Sequence, residues 1–187
     1  MSIKRGKVAA CAAVVLMILP AVEVVRSQQS PIASRQVKLP DGELARLVRQ
    51  STAPFQDVSA ASAAGYVLSG GCVSGPEQGA MGVHFVNPSL VGDGVLDAAR
   101  PEALVYEPRS GQLELVAVEY LVIAEQWDAS NDHPPVLHGQ HFHYVAAPNR
   151  TGLDAYYELH VWAWKRNPHG TFADWNPSVS CDAYSPQ

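Results

Sequence analysis

Residues 113–123 read LELVAVEYLVI, an apolar run interrupted only by Glu114 and Glu119. Side chains on a strand alternate between two faces, so this segment is apolar on both and has to be covered on both. It therefore predicts a central strand in a layered domain. Glu119 sharpens the constraint, because Leu115, Ala117, Leu121 and Ile123 share its face. An ionised carboxylate in such surroundings costs several kcal/mol unless it is paired. A partner is required, and the candidates are a buried Arg, a Tyr hydroxyl, a protonated His, or a metal ion held jointly with histidines.

The rest of the chain is read around this strand. Apolar stretches of strand length at 81–86, 103–106, 141–146 and 156–164 lie between Gly, Pro and Asn clusters. Pro108-Arg109-Ser110-Gly111 reads as a turn with glycine at a positive backbone angle, so the strands flanking it are expected to form an antiparallel hairpin. Ahead of the strands, Leu44, Leu47 and Val48 recur at helical spacing after Asp41, a candidate cap. Asp57 is placed to cap a second short helix over 58–64, ending at Gly65. Helices first and then strands joined by turns predict an α+β domain: short N-terminal helices and a mainly antiparallel sheet, with a small β-barrel as its closed form.

The N-terminus has the pattern of a secretory signal. Lys4, Arg5 and Lys7 precede a short apolar run that ends at Pro20, and that run is well below the ~20 residues a membrane-spanning helix needs. The expected organisation is a signal peptide over 1–27, a flexible leader over 28–39 rich in Gln, Ser and Pro, and a single domain over 40–187. An uncleaved tether is the alternative, since no clean small-residue cleavage triplet follows Pro20. Cys11 stands at the start of the apolar run rather than after it, which argues against lipidation.

The whole chain carries a formal net charge of -5, and removing the signal would take it to about -8. A secreted or periplasmic chain of this charge is a poor partner for nucleic acid or for an anionic membrane. Cys72 and Cys181 would be the only cysteines left, and in an oxidising compartment a single disulfide between them is the simplest expectation. Two free thiols or a metal pair are the other readings.

Six of the seven histidines fall between His133 and His169, and the seventh, His84, stands inside an expected strand. His141 and His143 point to one face of theirs. His160 shares a face with Glu158, Trp162 and Trp164, and His84 shares one with Gly82 and Val86. Imidazole with one carboxylate suits Zn, Fe, Mn, Ni or Cu. The expectation is a site in which His84, Glu119, His143 and His160 hold a divalent transition metal, with His141 in reserve and with Tyr120 and Trp162 as pocket residues. His133, His138 and His169 stand beside Pro or Gly and are read as solvated. Glu102 and Glu107 flank a strand and are expected at its exposed ends. Gly71-Cys72-Val73-Ser74-Gly75 superficially resembles a nucleophile turn, but no strand is read as feeding it.

A set of three histidines and one glutamate is similar to the cupin metal site. His141-Phe142-His143, preceded by Gly139, matches that family's HxH element, whereas Ala147 and Pro148 stand where its glutamate follows. Over a longer stretch, 79–88, 101–106 and 172–177 resemble segments of a family of uncharacterised exported bacterial proteins, and the resemblance runs from Phe55 to Asp182. It implies export and carries no activity with it. Two functions follow as expectations: an exported metal-binding protein, with metal-dependent catalysis and a small-molecule ligand as an extension, or a non-catalytic envelope binding module whose histidines and Glu119 form a buried hydrogen-bond network. The oligomeric state is not legible.

Overall fold

The computed structural model describes residues 42–185. The expected signal and leader, and Asp41, lie outside the described residues. Helix α1 (Glu43–Thr52) starts after Gly42 and buries Leu44, Ala45 and Val48. A 3-10 turn links it to α2 (Val58–Ala63), where the Asp57 carboxylate accepts the Ser59 N–H at 2.8 Å, as a cap should. The Arg49 guanidinium donates to the Ala163 carbonyl, 3.0 Å away, which ties α1 to the segment just after the last strand.

Strands β1 (Val67–Gly75), β2 (Gly79–Val86), β3 (Ala103–Arg109), β4 (Gln112–Ile123), β7 (His143–Val145) and β8 (Tyr156–Val161) build one sheet in the order β1-β2-β3-β4-β8-β7. All its neighbours run antiparallel. The sheet curls into a half-barrel that closes only in part. Two short helices, α3 (Pro88–Val91) and α4 (Ala124–Asp128), follow β2 and β4, and a separate ribbon pairs β5 (Val136–Leu137) with β6 (Gln140–His141). The α+β expectation holds, and β4 is central as expected, buried from Leu115 to Val122. The hairpin between β3 and β4 turns at Ser110 and Gly111, both at positive φ, with Arg109 opposite Gln112.

Two layers cover the sheet. Leu44, Ala45 and Val48 of α1 pack with Phe85, Tyr106, Val118 and Tyr120 on one face. On the other face the irregular C-terminal segment packs Val179 against Ala80, Val105, Ala117 and Trp162. The tail is held by backbone bonds between Ala80 and Asn176, by Trp162 N–H donating to Thr171, and by the disulfide from Cys72 to Cys181, S–S 2.00 Å.

Four local expectations are corrected. Segment 141–146 is not one strand: Phe142 is buried, its N–H donates to the Pro135 carbonyl, and the chain changes sheet there. The stretch 67–75 is itself a strand, β1. Its glycines and mostly exposed residues hide the alternation that marks a half-buried strand, because an edge strand here needs only its backbone to pair. Strand β8 stops at Val161, where the tail returns to take the Trp162 N–H. Finally, Glu102 and Glu107 are buried rather than exposed. The Glu102 carboxylate accepts the Leu121 N–H at 3.0 Å, and Glu107 receives the Lys165 ammonium and the Ser180 N–H from the tail.

Two measurements check this arrangement. The disulfide closes a loop over a sequence separation of 109, so the double replacement of Cys72 and Cys181 by Ser should lower unfolding stability by up to ~4 kcal/mol, read by urea titration. Burial pushes the Glu102 carboxyl up to about 8, against the pull of the Leu121 N–H. The folded chain therefore keeps a proton that the unfolded chain releases near 4.5, and stability contributed by Glu102 falls as pH rises from 4.5 to 8. Glu102→Gln should flatten that slope by a few kcal/mol across the window, and an unchanged slope would rule the assignment out.

Candidate metal centre

The pairing register decides which side chains meet. Glu119 on β4 stands opposite His160 on β8 and Ala103 on β3. His84 on β2 stands opposite Val105, and Glu158 on β8 opposite His143 on β7. All of these share the face turned toward the tail. Strands β2 and β4 are two ladder spacings apart, roughly 10 Å. On β3 between them Val105 stands opposite His84 and Ala103 opposite Glu119, and the His84 ring and the Glu119 carboxylate meet diagonally across that strand. His84 Nε2 lies 3.5 Å from Glu119 Oε2, and His160 Nε2 lies 3.9 Å from the same oxygen. On the other side of the His160 ring, Nδ1 is 3.8 Å from Asp174 Oδ1, which the tail brings in.

Ionic pairing does not account for this cluster. Burial pushes the His84 imidazole down to about 4, with the positive charge of Arg150 adding to the effect. Burial likewise holds His160 well below its ordinary range, helped by His84 and Arg150. Both rings are neutral at pH 7. Glu119 is driven the opposite way, first by burial and then by the neighbouring Glu158 charge, so its protonated form is favoured. The sequence demanded a partner for Glu119, and a protonated histidine is not it.

Hydrogen bonding does not complete the cluster either. His84 Nε2, both ring nitrogens of His160, Glu158 Oε2 and Asp174 Oδ1 are buried without a hydrogen-bond partner. Buried polar atoms are rarely left so, and five in one cluster point to a ligand that would satisfy them together. Their separations suit a cation: ligand atoms around a tetrahedral Zn at ~2.05 Å lie about 3.3 Å apart. Two trios have ligand atoms mutually within 4.8 Å: His84, Glu119 and His160, and Glu158, His160 and Asp174. Buried His, Glu and Asp groupings able to hold a metal ion are thus present, and neutral imidazoles offer the lone pairs that ligation needs.

The residues singled out from sequence separate into two groups. His84, Glu119 and His160 converge. His143 lies on the same face but is 56% exposed at its side chain, with Nδ1 3.2 Å from Asp174 Oδ1. His141 is exposed in the β5–β6 ribbon, away from the trio. Tyr120 faces the helical layer, its hydroxyl donating to Ala98. Trp162 is buried beside His160, and its indole N–H donates to the Ala173 carbonyl at 2.6 Å, which fixes the neighbouring Asp174. Glu158 shares the His160 face by simple alternation and was legible as such. Asp174 was not, since nothing in an irregular segment tells which residue turns inward.

Comparison with protein-family models, curated proteins and solved structures returns no match.

Acid sensitivity checks the neutral state of His84. The unfolded chain binds a proton near 6.5 and the folded chain only near 4, so the unfolded state holds more protons between these values and the protein loses stability as pH falls through them. In chelator-treated protein the loss from this group should reach roughly 3 kcal/mol. His84→Gln should remove most of it, as read by denaturant midpoints at pH 4.5 and 7; identical acid sensitivity in both proteins would show that His84 is not the group.

Proposed function

We propose that this protein is an exported metal-binding protein whose half-barrel holds a divalent transition-metal ion on His84, Glu119 and His160. The observation that carries the reading is the set of unpartnered ligand atoms, with His84 Nε2 and His160 Nε2 both turned to Glu119 Oε2 inside the sheet. Two imidazoles and a carboxylate favour Zn, Fe, Mn, Ni or Cu over hard cations such as Ca, which prefer all-oxygen shells. The Cys72–Cys181 disulfide supports an oxidising compartment, as does the signal-like N-terminal sequence. Among the described residues no helix is long and apolar enough to cross a membrane.

The chain's own groups give the site a direction. His84 and His160 sit at its closed end. Asp174 and His143 stand at the side toward solvent, so a small molecule would approach past them. A bound ion would act there as a Lewis acid.

The competing reading, a binding module stabilised by a buried His and Glu network, predicts paired atoms. A network with its imidazole nitrogens unpaired destabilises rather than supports a fold, and this favours the metal.

Elemental mass spectrometry on untagged protein, with a chelated control, tests the proposal. At least one equivalent of a transition metal is expected, lost on chelation and greatly reduced in His84→Ala. Saturating metal at ~100 times Kd should also stabilise the wild type by about 2.7 kcal/mol and leave His84→Ala unmoved. Absence of metal after reconstitution, with no thermal shift, would return the site to the network reading.

A further inference from the structure

His160 presents a feature that one cation does not explain. Its ring is fully buried, and both nitrogens lack partners. A histidine serving a single metal ion ordinarily donates its other ring N–H to a carboxylate or carbonyl, which fixes the tautomer. Here the second nitrogen faces Asp174 Oδ1 at 3.8 Å, too far for a hydrogen bond. Asp174 Oδ1 and Glu158 Oε2 are themselves buried and unpartnered, and with His160 they form the second trio of mutually close ligand atoms. The spacing on the two sides of the ring is nearly the same, 3.9 Å to Glu119 and 3.8 Å to Asp174.

We propose that the centre takes two divalent cations bridged by the His160 ring, an inference that rests on the metal-binding reading above. The first is held by His84 Nε2, Glu119 Oε2 and His160 Nε2, the second by His160 Nδ1, Glu158 and Asp174. On loading, the ring loses its remaining proton to solvent and binds through both nitrogens. His143 Nδ1 stands 3.2 Å from Asp174 Oδ1 at the outer edge, with no hydrogen bond between them. The inner ion is enclosed by three strands, whereas the outer one depends on a tail residue that is partly exposed, so the outer position fills second and empties first.

The test uses chelated, untagged full chain loaded with copper(II) chloride, read by elemental analysis and by electron paramagnetic resonance. Two equivalents are expected in the wild type, with a spin signal well below that of two isolated ions, because an imidazolate bridge couples them. Asp174→Asn and Asp174→Ala should each bind one equivalent with a full single-ion signal. Asp174→Asn keeps the shape of the side chain, so its stoichiometry is readable even if the alanine variant folds poorly. One equivalent in the wild type, unchanged in Asp174→Asn, would overturn the second position and leave the metal-binding reading standing. Two equivalents with full, uncoupled signal would overturn the bridge. No copper in any of the three proteins would overturn the metal-binding reading itself.

Discussion

Burying Glu119 is the constraint around which the rest of the sheet is organised. The strand that carries it is apolar on both faces and occupies the middle of six, so the carboxyl cannot turn outward without taking Ala117 and Leu121 with it; Leu115, beyond the bulge in the β3–β4 ladder, already packs on the helical side. A one-residue slip would reverse the faces and leave Glu119 among the aromatic side chains under α1. In the native register it meets two neutral imidazoles and another carboxyl, an arrangement that Coulomb attraction does not stabilise. The fold therefore holds together a cluster that is unfavourable by itself, and hydrophobic burial on both faces of β4 supplies the stabilisation that offsets it. Clusters of this kind, with carboxyls shifted up and imidazoles shifted down, are where functional sites concentrate.

The second requirement is a cover. A half-barrel leaves one concave face open, and here that face is closed by a segment with no regular structure of its own. It is anchored at several separated points: the Ala80 and Asn176 backbone pair, the Trp162 indole bond to Ala173, the Glu107 contacts to Lys165 and Ser180, and the disulfide at Cys181. Irregular backbone near a core must satisfy its polar groups one by one. Asn167 and Asn176 do so with side-chain amides bonded to the Trp175 and Arg166 carbonyls. Asp174 is delivered into the site by this set of anchors, the Trp162 indole and the disulfide among them.

How much of this was written in the sequence depends on the range of the interaction. The α+β class, the β3–β4 hairpin, the Asp57 cap and the central place of β4 followed from alternation and turn chemistry within a few residues. The convergence of His84, Glu119 and His160 was legible in part, because alternation fixes faces but not which strands become neighbours. Sequence order gives no sign that β8 inserts beside β4 while β7 goes to the edge. The misplacements share a cause. Alternation puts His141 and His143 on one face of one strand, but at Phe142 the chain passes from one sheet into the other. Glu102 and Glu107 looked like strand ends, but their partners are the Leu121 backbone and a tail more than 50 residues away. An edge strand rich in glycine carries no hydrophobic pattern at all, so β1 was visible only through its pairing.

The same logic bears on why the site is assembled from distant parts. His84, Glu119 and His160 belong to the sheet and are positioned as soon as β2, β3, β4 and β8 pair, whereas Asp174 arrives only when the tail docks. His84, Glu119, His160 and Glu158 are therefore buried and fixed by the strands, and Asp174 alone depends on how the tail docks. A cation bound at the inner trio would take the place of the proton Glu119 keeps and satisfy the idle nitrogens together, so its binding energy would add directly to folding stability. An ion reaching the outer groups would instead stabilise the docked tail. Under the two-cation proposal His160, at zero exposure between Glu119 and Asp174, is the residue through which the two ions would sense each other.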